Sequence, residues 1–339
     1  MENAHLPGKM RSQNHCRIPA GKMKFADALS YRVIFLAMIL LLTYCTKEDS
    51  GKVSKEELTL KMIDGINADS LKADVIWLQN MGTRFALNGN RKVVASGIKK
   101  RFIQMGYTNT ILDSFMINKT YREVVYELWQ YNVIAFIQGI KYPDSLCIIG
   151  GHYDNILSTG DPFTAVPGAN DNASGVAAAM EIARIMKKYS FRPESTIMFI
   201  AFGSEEIGLW GSRDFAANPN GFSQKIKFML NSDMIAYEPE TNPETWYVNI
   251  IDYDNSHGLR KEAEEICKEH TLLAYINDNT HNKQSDSYPF FTNGYKALFF
   301  FSGKADTNYH TLSDVVENCN FEYCREIVRI SVALLADKN

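Results

Sequence analysis

Long apolar runs are missing from this 339-residue sequence. The run Val33–Leu42 is unbroken but only ten residues long, and a membrane helix needs about 20. A polytopic membrane protein is therefore excluded. Proline is sparse, with 10 residues, and no Pro- or Gly-rich stretch follows residue 60. No linker divides the body, no internal repeat is visible, and one domain is the economical reading. Six cysteines are present, none in paired two-residue gaps, so a zinc knuckle is excluded. An excess of either charge is also missing: 36 Lys+Arg stand against 39 Asp+Glu, a net charge of -3. What is present, 45% apolar and 22% charged residues, belongs to a globular chain rather than a disordered or collagen-like one.

The small net charge is a sum over two unlike parts. Residues 1–45 carry Lys9, Arg11, Arg17, Lys22, Lys24 and Arg32 against Glu2 and Asp27, a net +4, which leaves -7 for the other 294 residues. An acidic body does not attract a phosphate backbone, so nucleic acid is not an expected partner. Val33–Leu42 has the length of a signal-peptide core, with Lys22, Lys24 and Arg32 before it. Leu42-Thr-Tyr-Cys45 resembles a bacterial lipobox, with Tyr44 where a small residue is usual. The expected address is thus an exported lipoprotein of a bacterial cell envelope. It would touch the membrane only through a lipid on Cys45; a secreted soluble protein is the alternative. Export would permit a disulfide, and Cys319 and Cys324 are the one close pair; their redox state is open. Cys147 and Cys267 read as buried thiols.

Beyond the leader, residues 46–125 read as a helical lead-in, with helical spacing over Ala73–Asn80 and Val93–Met105 and a stop at Gly106. From about residue 130, apolar runs alternate with helices. The runs are Tyr131–Ile137, Leu146–Ile149, Thr196–Phe202, Lys227–Leu230 and Ala297–Phe301; the helices are Ser174–Lys188, Leu259–His270 and Glu322–Ala336. Asn172 or Ser174 could cap the first of these helices. Thr196–Phe202 is almost wholly apolar, as a strand buried on both faces should be. The pattern predicts a single three-layer α/β/α domain around a mixed, mostly parallel central sheet.

Four of the five runs end near a metal-ligating residue. His152 and Asp154 follow the second, Glu205 and Glu206 the third, Asp233 the fourth, and His310 the fifth after a loop. In open α/β sheets the crevice at the strands' carboxyl ends is the ligand site. A further carboxylate, Asp171, lies just before a helix in Pro167–Gly175. Singly, each has an ordinary reading as a solvated loop group. Taken as one group from each of the four strand ends plus Asp171, two histidines and three carboxylates at one sheet edge suit zinc or a similar divalent ion. His5, His15, His257 and His270 read as leader or surface residues, and His281 as a candidate for a cleft rim.

Five motifs occur in order: Gly151-His-Tyr-Asp154, Pro167-Gly-Ala-Asn-Asp-Asn-Ala-Ser-Gly175, Glu205-Glu206-x-Gly208-x-x-Gly211-Ser212, Asp233-Met234 and Tyr309-His-Thr311-x-x-Asp314. In order and spacing they resemble the two-zinc aminopeptidases, the group of bacterial leucyl aminopeptidases, glutaminyl cyclases and the transferrin receptor's protease-like domain. The resemblance covers roughly residues 70–335. With the leader over 1–45, the expected organisation is a tether over 46–60 and a zinc-exopeptidase domain over 61–339. The resemblance implies two divalent ions, zinc being the expected metal, with Asp171 bridging them. His152 and Asp233 would complete one site, Glu206 and His310 the other. Glu205 would be the general base toward a metal-bridged water, and Tyr309 would bond the tetrahedral intermediate. Asp154 would hold the second ring nitrogen of His152. Asp314 would support a ligand or cap the turn at Val315. Ser285–Phe291 matches a segment shaping the substrate cleft, with Asp286 as its candidate contact; Phe290 and Phe291 could equally be core.

The implied activity is hydrolysis of the N-terminal peptide bond of peptides. The alternatives are a glutaminyl-peptide cyclase of the same fold, or a carboxypeptidase or endopeptidase of the group. Cyclases usually lose part of the second site, and here all five ligand positions are filled.

Overall fold

The computed structural model describes residues 53–219 and 225–339. Cys45 and the apolar run before it lie outside these residues. Three helices lead in: α1 (Lys55–Gly65), α2 (Ala68–Gln79) and α3 (Arg91–Gln104). α1 and α2 are capped by Ser54 Oγ, which accepts from Glu57 N, and Asn67 Oδ1, which accepts from Ser70 N. The expected tether thus gives way at Lys55 to a helix whose Thr59, Met62 and Ile63 are buried.

Two antiparallel strands follow, β1 (Ile111–Tyr121) and β2 (Val124–Ile137), then β3 (Tyr142–His152), α4 (Ser174–Lys188), β4 (Ser195–Phe202), α5 (Trp210–Ala217) and β5 (Lys225–Ser232). The chain continues through β6 (Tyr247–Ile251), α6 (His257–His270), β7 (Ala274–Ile276), α7 (Ser287–Thr292), β8 (Ala297–Ser302) and α8 (Phe321–Asp337). β1 contradicts the helical reading of residues 46–125. It lies at the sheet's edge: Asp113, Phe115 and Ile117 are buried while Ser114, Met116 and Asn118 are exposed, and a polar residue on the covered face with an apolar one on the open face blurs the alternation. β6 and the three-residue β7 were likewise not anticipated.

The strands form one sheet in the order β1-β2-β4-β3-β5-β8-β6-β7. Its centre, β4-β3-β5-β8, is parallel, with β2 and β6 antiparallel to it. Every residue of β4 is buried. The two-residue alternation of strands sorts the core. Ala135, Ile149, Ile197, Phe199 and Leu230 face one side, against α1–α4, α6 and α8. Ile134, Ile148, Met198, Ile200 and Phe202 face the other, against α5 and α7 through Phe215 and Phe290. Each of the larger of these side chains, Ile, Leu, Met or Phe, contributes about 1.5–3 kcal/mol on burial. The result is the expected three-layer arrangement. Among the described residues no helix is long and apolar enough to cross a membrane, and Cys147, Cys267, Cys319 and Cys324 are all free thiols.

Candidate metal centre and its cleft

The parallel strands end together, and each delivers its residue to that edge. β3 ends at His152, which is buried. β4 runs into Gly203-Ser204 and then Glu205 and Glu206; β5 into Asp233; β8, after a loop, into His310. Left-handed backbone marks three of these points, at Ser204 (φ 65), Met234 (φ 53) and His310 itself (φ 55). Non-glycine residues held there cost about 1–3 kcal/mol each, and such strain gathers at sites. Asp171 arrives differently. The loop before α4 lies directly on the strand ends, because Gly175 offers no Cβ where one would come within 2.0 Å of Ser232 O. Asn172 Oδ1 accepts from Gly175 N, and Asn172 Nδ2 donates to Ser232 O.

Two triplets result, His152–Asp171–Asp233 and Asp171–Glu206–His310, each with ligand atoms within 4.8 Å of one another. His152 Nε2 lies 3.3 Å from Asp171 Oδ1 and 3.5 Å from Asp233 Oδ1. His310 Nε2 lies 3.0 Å from both Asp171 Oδ2 and Glu206 Oε2. Yet Glu206 Oε1, Asp233 Oδ1 and His310 Nε2 are buried without a hydrogen-bond partner. Buried polar atoms ordinarily have one. Nitrogen and carboxylate donors converging unpaired are a donor set that fits a divalent cation such as zinc. Glu205 belongs to neither triplet. Its Oε2 stands 3.9 Å from His152 Nε2.

The crowding of charge shows in the proton affinities. Burial, with Asp171 beside it, pushes the Glu206 carboxyl up to about 8. Burial also holds Glu205 well above the carboxylate range, opposed by His152 and reinforced by Glu206, Asp233 and Asp286. Burial works against the His310 imidazolium, but Asp171 and Glu206 carry it up to about 10. Asp171 is buried too, yet its two histidines hold it below the usual carboxylate range.

The supporting residues differ in part from expectation. His152 Nδ1 meets the backbone carbonyl of Asp154 at 3.0 Å, not its carboxylate, which is 3.7 Å away. The Asp154 carboxylate instead accepts from Glu205 N at 3.0 Å and Glu206 N at 3.2 Å, fixing the turn that separates the two glutamates. Asp314 caps no helix; its carboxylate accepts from Asn170 N at 2.7 Å and Asp171 N at 3.0 Å. Asp286 is fully buried and absent from the cleft wall. Burial pushes its pKa up to about 7. The neighbouring Ser285 was missed: its hydroxyl donates to Asp233 Oδ2 at 2.6 Å. Phe290 is core. The cleft opens from the cluster as a cavity of about 380 Å³, walled by Met234, Ile276, Phe299 and Phe301, with His281 and half-exposed Tyr309 beside them. The Tyr309 ring stacks on His310, centroids 3.7 Å apart.

The sequence pattern of peptidase family M28 matches residues 132–335. The chain belongs to peptidase family M28. This bears out the resemblance read from the five motifs. A "Probable zinc metalloprotease" of Pyrenophora teres f. teres is 31% identical over 185 residues, 51% of this chain and 38% of that protein. A "Probable leucine aminopeptidase" of Trichophyton verrucosum is 26% identical over 300 residues, 81% of this chain and 72% of that protein. The matched stretch thus spans well under half of the Pyrenophora relative. Among solved structures, the LapA aminopeptidase of Legionella pneumophila superposes with a TM-score of 0.69 at 19% identity, over 96% of this chain and 80% of that one. A glutaminyl cyclase of Bacteroides thetaiotaomicron does so at 0.64 and 15%, over 81% of this chain and 99% of that one. At such identities the likeness is one of fold, and it is the α/β fold that the M28 chain was expected to have. The sequence relatives, from Pyrenophora, Saccharomyces and Trichophyton, are fungal. They overturn the expected bacterial cell-envelope address.

Proposed function

We propose that this M28 chain is an aminopeptidase that uses two divalent ions, zinc in the first instance, to hydrolyse the N-terminal peptide bond of peptides. The observation that carries the reading is the pair of triplets sharing Asp171, with Glu205 left unliganded between them and the cleft. His152, Asp171 and Asp233 would hold one ion; Asp171, Glu206 and His310 the other. When bound, the ions supply Lewis acidity toward the scissile carbonyl and lower the pKa of a water. Glu205 takes that water's proton and returns it to the leaving amine. Tyr309, at the cleft's edge, donates its hydroxyl to the charge that develops on the carbonyl oxygen. The surplus of carboxylates receives the substrate's free ammonium group. The apolar wall of Met234, Ile276, Phe299 and Phe301 favours a large apolar first side chain.

The test is amino-acid release from leucyl, phenylalanyl and lysyl anilides and from N-blocked counterparts, with metal content measured on the same samples. Leucyl and phenylalanyl anilides should be cleaved best, blocked substrates not at all, and a chelator should abolish turnover. Cleavage of blocked substrates, or cyclisation of a glutaminyl substrate without anilide hydrolysis, would overturn the reading.

A further inference from the structure

Arg84 carries none of the five motifs and lies outside residues 132–335, which the family pattern matches. It is 1% exposed and heads the fully buried side chains by volume. Its guanidinium donates from Nε to Tyr153 O (2.7 Å), from Nη1 to Leu78 O (3.2 Å) and Pro167 O (2.9 Å), and from Nη2 to Gly168 O (2.7 Å). Every acceptor is a backbone carbonyl, and none of the recorded ion pairs among the described residues includes Arg84. Tyr153 is the neighbour of His152. Pro167 and Gly168 open the loop that carries Asp171. The backbone closes the ring: Arg84 N donates to Asn155 Oδ1, and Asn155 Nδ2 donates to Val166 O.

We infer that Arg84 is a positioning residue for the metal centre: its planar fork ties the His152 loop to the Asp171 loop and places a permanent positive charge behind the carboxylates. The inference rests on the ligand assignment proposed above. A buried cation without a contacting carboxylate is expensive to maintain. Here the compensation comes from carboxylates of the site, Asp314, Asp154, Asp171 and Glu206. They act against the burial that pushes the guanidinium down to about 10, so it stays charged at neutral pH. The packing leaves no slack. Gly168 has φ +57, and a Cβ there would stand 2.8 Å from Arg84 Nη2. A lysine keeps the charge but cannot reach carbonyls on both loops at once, because it lacks the planar fork. The two contributions are therefore separable.

The experiment measures Zn²⁺ affinity of Arg84→Lys and Arg84→Gln by chelator competition, and the Co²⁺ absorption spectrum, below the unfolding temperature of each variant. Loss of a group that orients metal ligands weakens binding by about 10–100-fold. Arg84→Gln is expected toward the upper end of that range. Arg84→Lys is expected toward the lower end, with an altered Co²⁺ spectrum reporting changed ligand geometry. A folded variant with wild-type affinity and spectrum would overturn the inference. If only Arg84→Lys folds, it decides alone. If neither folds, Arg84 is a determinant of the fold rather than of the site, which also overturns it. Wild-type protein that binds no Zn²⁺ would sink the ligand assignment instead, and failure on anilides would leave this measurement untouched.

Discussion

Glu205 and Glu206 are neighbours in the chain and go to different work. Glu206 reaches His310 at 3.0 Å, while Glu205 sits 3.9 Å from His152 and belongs to neither triplet. The Asp154 carboxylate holds both backbone N–H groups, and with the left-handed Ser204 it sets the divergence. If Glu205 is the proposed base, Glu205→Gln removes proton transfer and leaves the residues of both triplets in place. It should leave metal content unchanged and lower kcat by about 10²–10⁴-fold, read by anilide kinetics with metal analysis; near-normal kcat would refute Glu205 as base. At this scale much was legible in the sequence. His152, Glu205, Glu206, Asp233 and His310 each follow an apolar run, so strand ends point to them. What was not legible depends on backbone geometry. Asp154 gives His152 its carbonyl and the glutamates its carboxylate, and no spacing rule distinguishes these. Asp286 looked available because it stands beside a polar loop, but α7 turns it inward.

The loop at residues 167–175 and the helix α4 behind it act as one element. Asp171 reaches both triplets because α4 begins almost in contact with β5. Gly175 in the first turn of a helix would ordinarily gain about 1 kcal/mol on replacement by Ala. Here the added Cβ would meet Ser232 O at 2.0 Å, and overpacking of this kind costs about 1–3 kcal/mol. Gly175→Ala should therefore destabilise rather than stabilise, measured as a fall in the urea midpoint; a rise would show that the loop does not press on the sheet. Elements with one continuous apolar face, such as β4 and α4, were readable to within a residue or two. β1 was not, because Asp113 sits on its covered face and Met116 on its open one, which blurs the alternation that marks a strand. The lead-in helices were readable as helices but not as the source of Arg84, since nothing in Met81-Gly-Thr-Arg84 marks a residue that bonds to carbonyls 69 to 84 positions away.

For the whole molecule, the relevant balance is between protons and cations. The ion-free chain gathers Asp171, Glu205, Glu206 and Asp233 and compensates by keeping protons on its neighbours. His310 is carried up to about 10 and Glu206 up to about 8, so both hold protons at pH 7. A raised pKa means that the proton must leave before the group can ligate. Against the effect of burial, surrounding carboxylates also hold the His152 imidazole well above its ordinary value, so Zn²⁺ binding at pH 7 should release protons from His152, His310 and Glu206, and affinity should rise as pH goes from 6 to 8. Titration calorimetry in buffers of different ionisation enthalpy checks this; proton uptake, or an affinity indifferent to pH, would contradict it. The acidic -7 of the body was visible from composition, but not that so much of it meets in one place.

The candidate ligands run from His152 to His310 and come from the ends of four strands and one loop. No two neighbouring stretches of chain suffice to make either triplet; each needs β3 and β5, or β4 and the loop after β8, already in register. Contacts so distant in sequence form late, because closing large loops precedes any gain from them. A newly made chain therefore offers no foothold for an ion until its central sheet is assembled. Uptake of the metal would then follow the assembly of the sheet rather than guide it, and a chain stalled with β8 undocked would lack the second triplet.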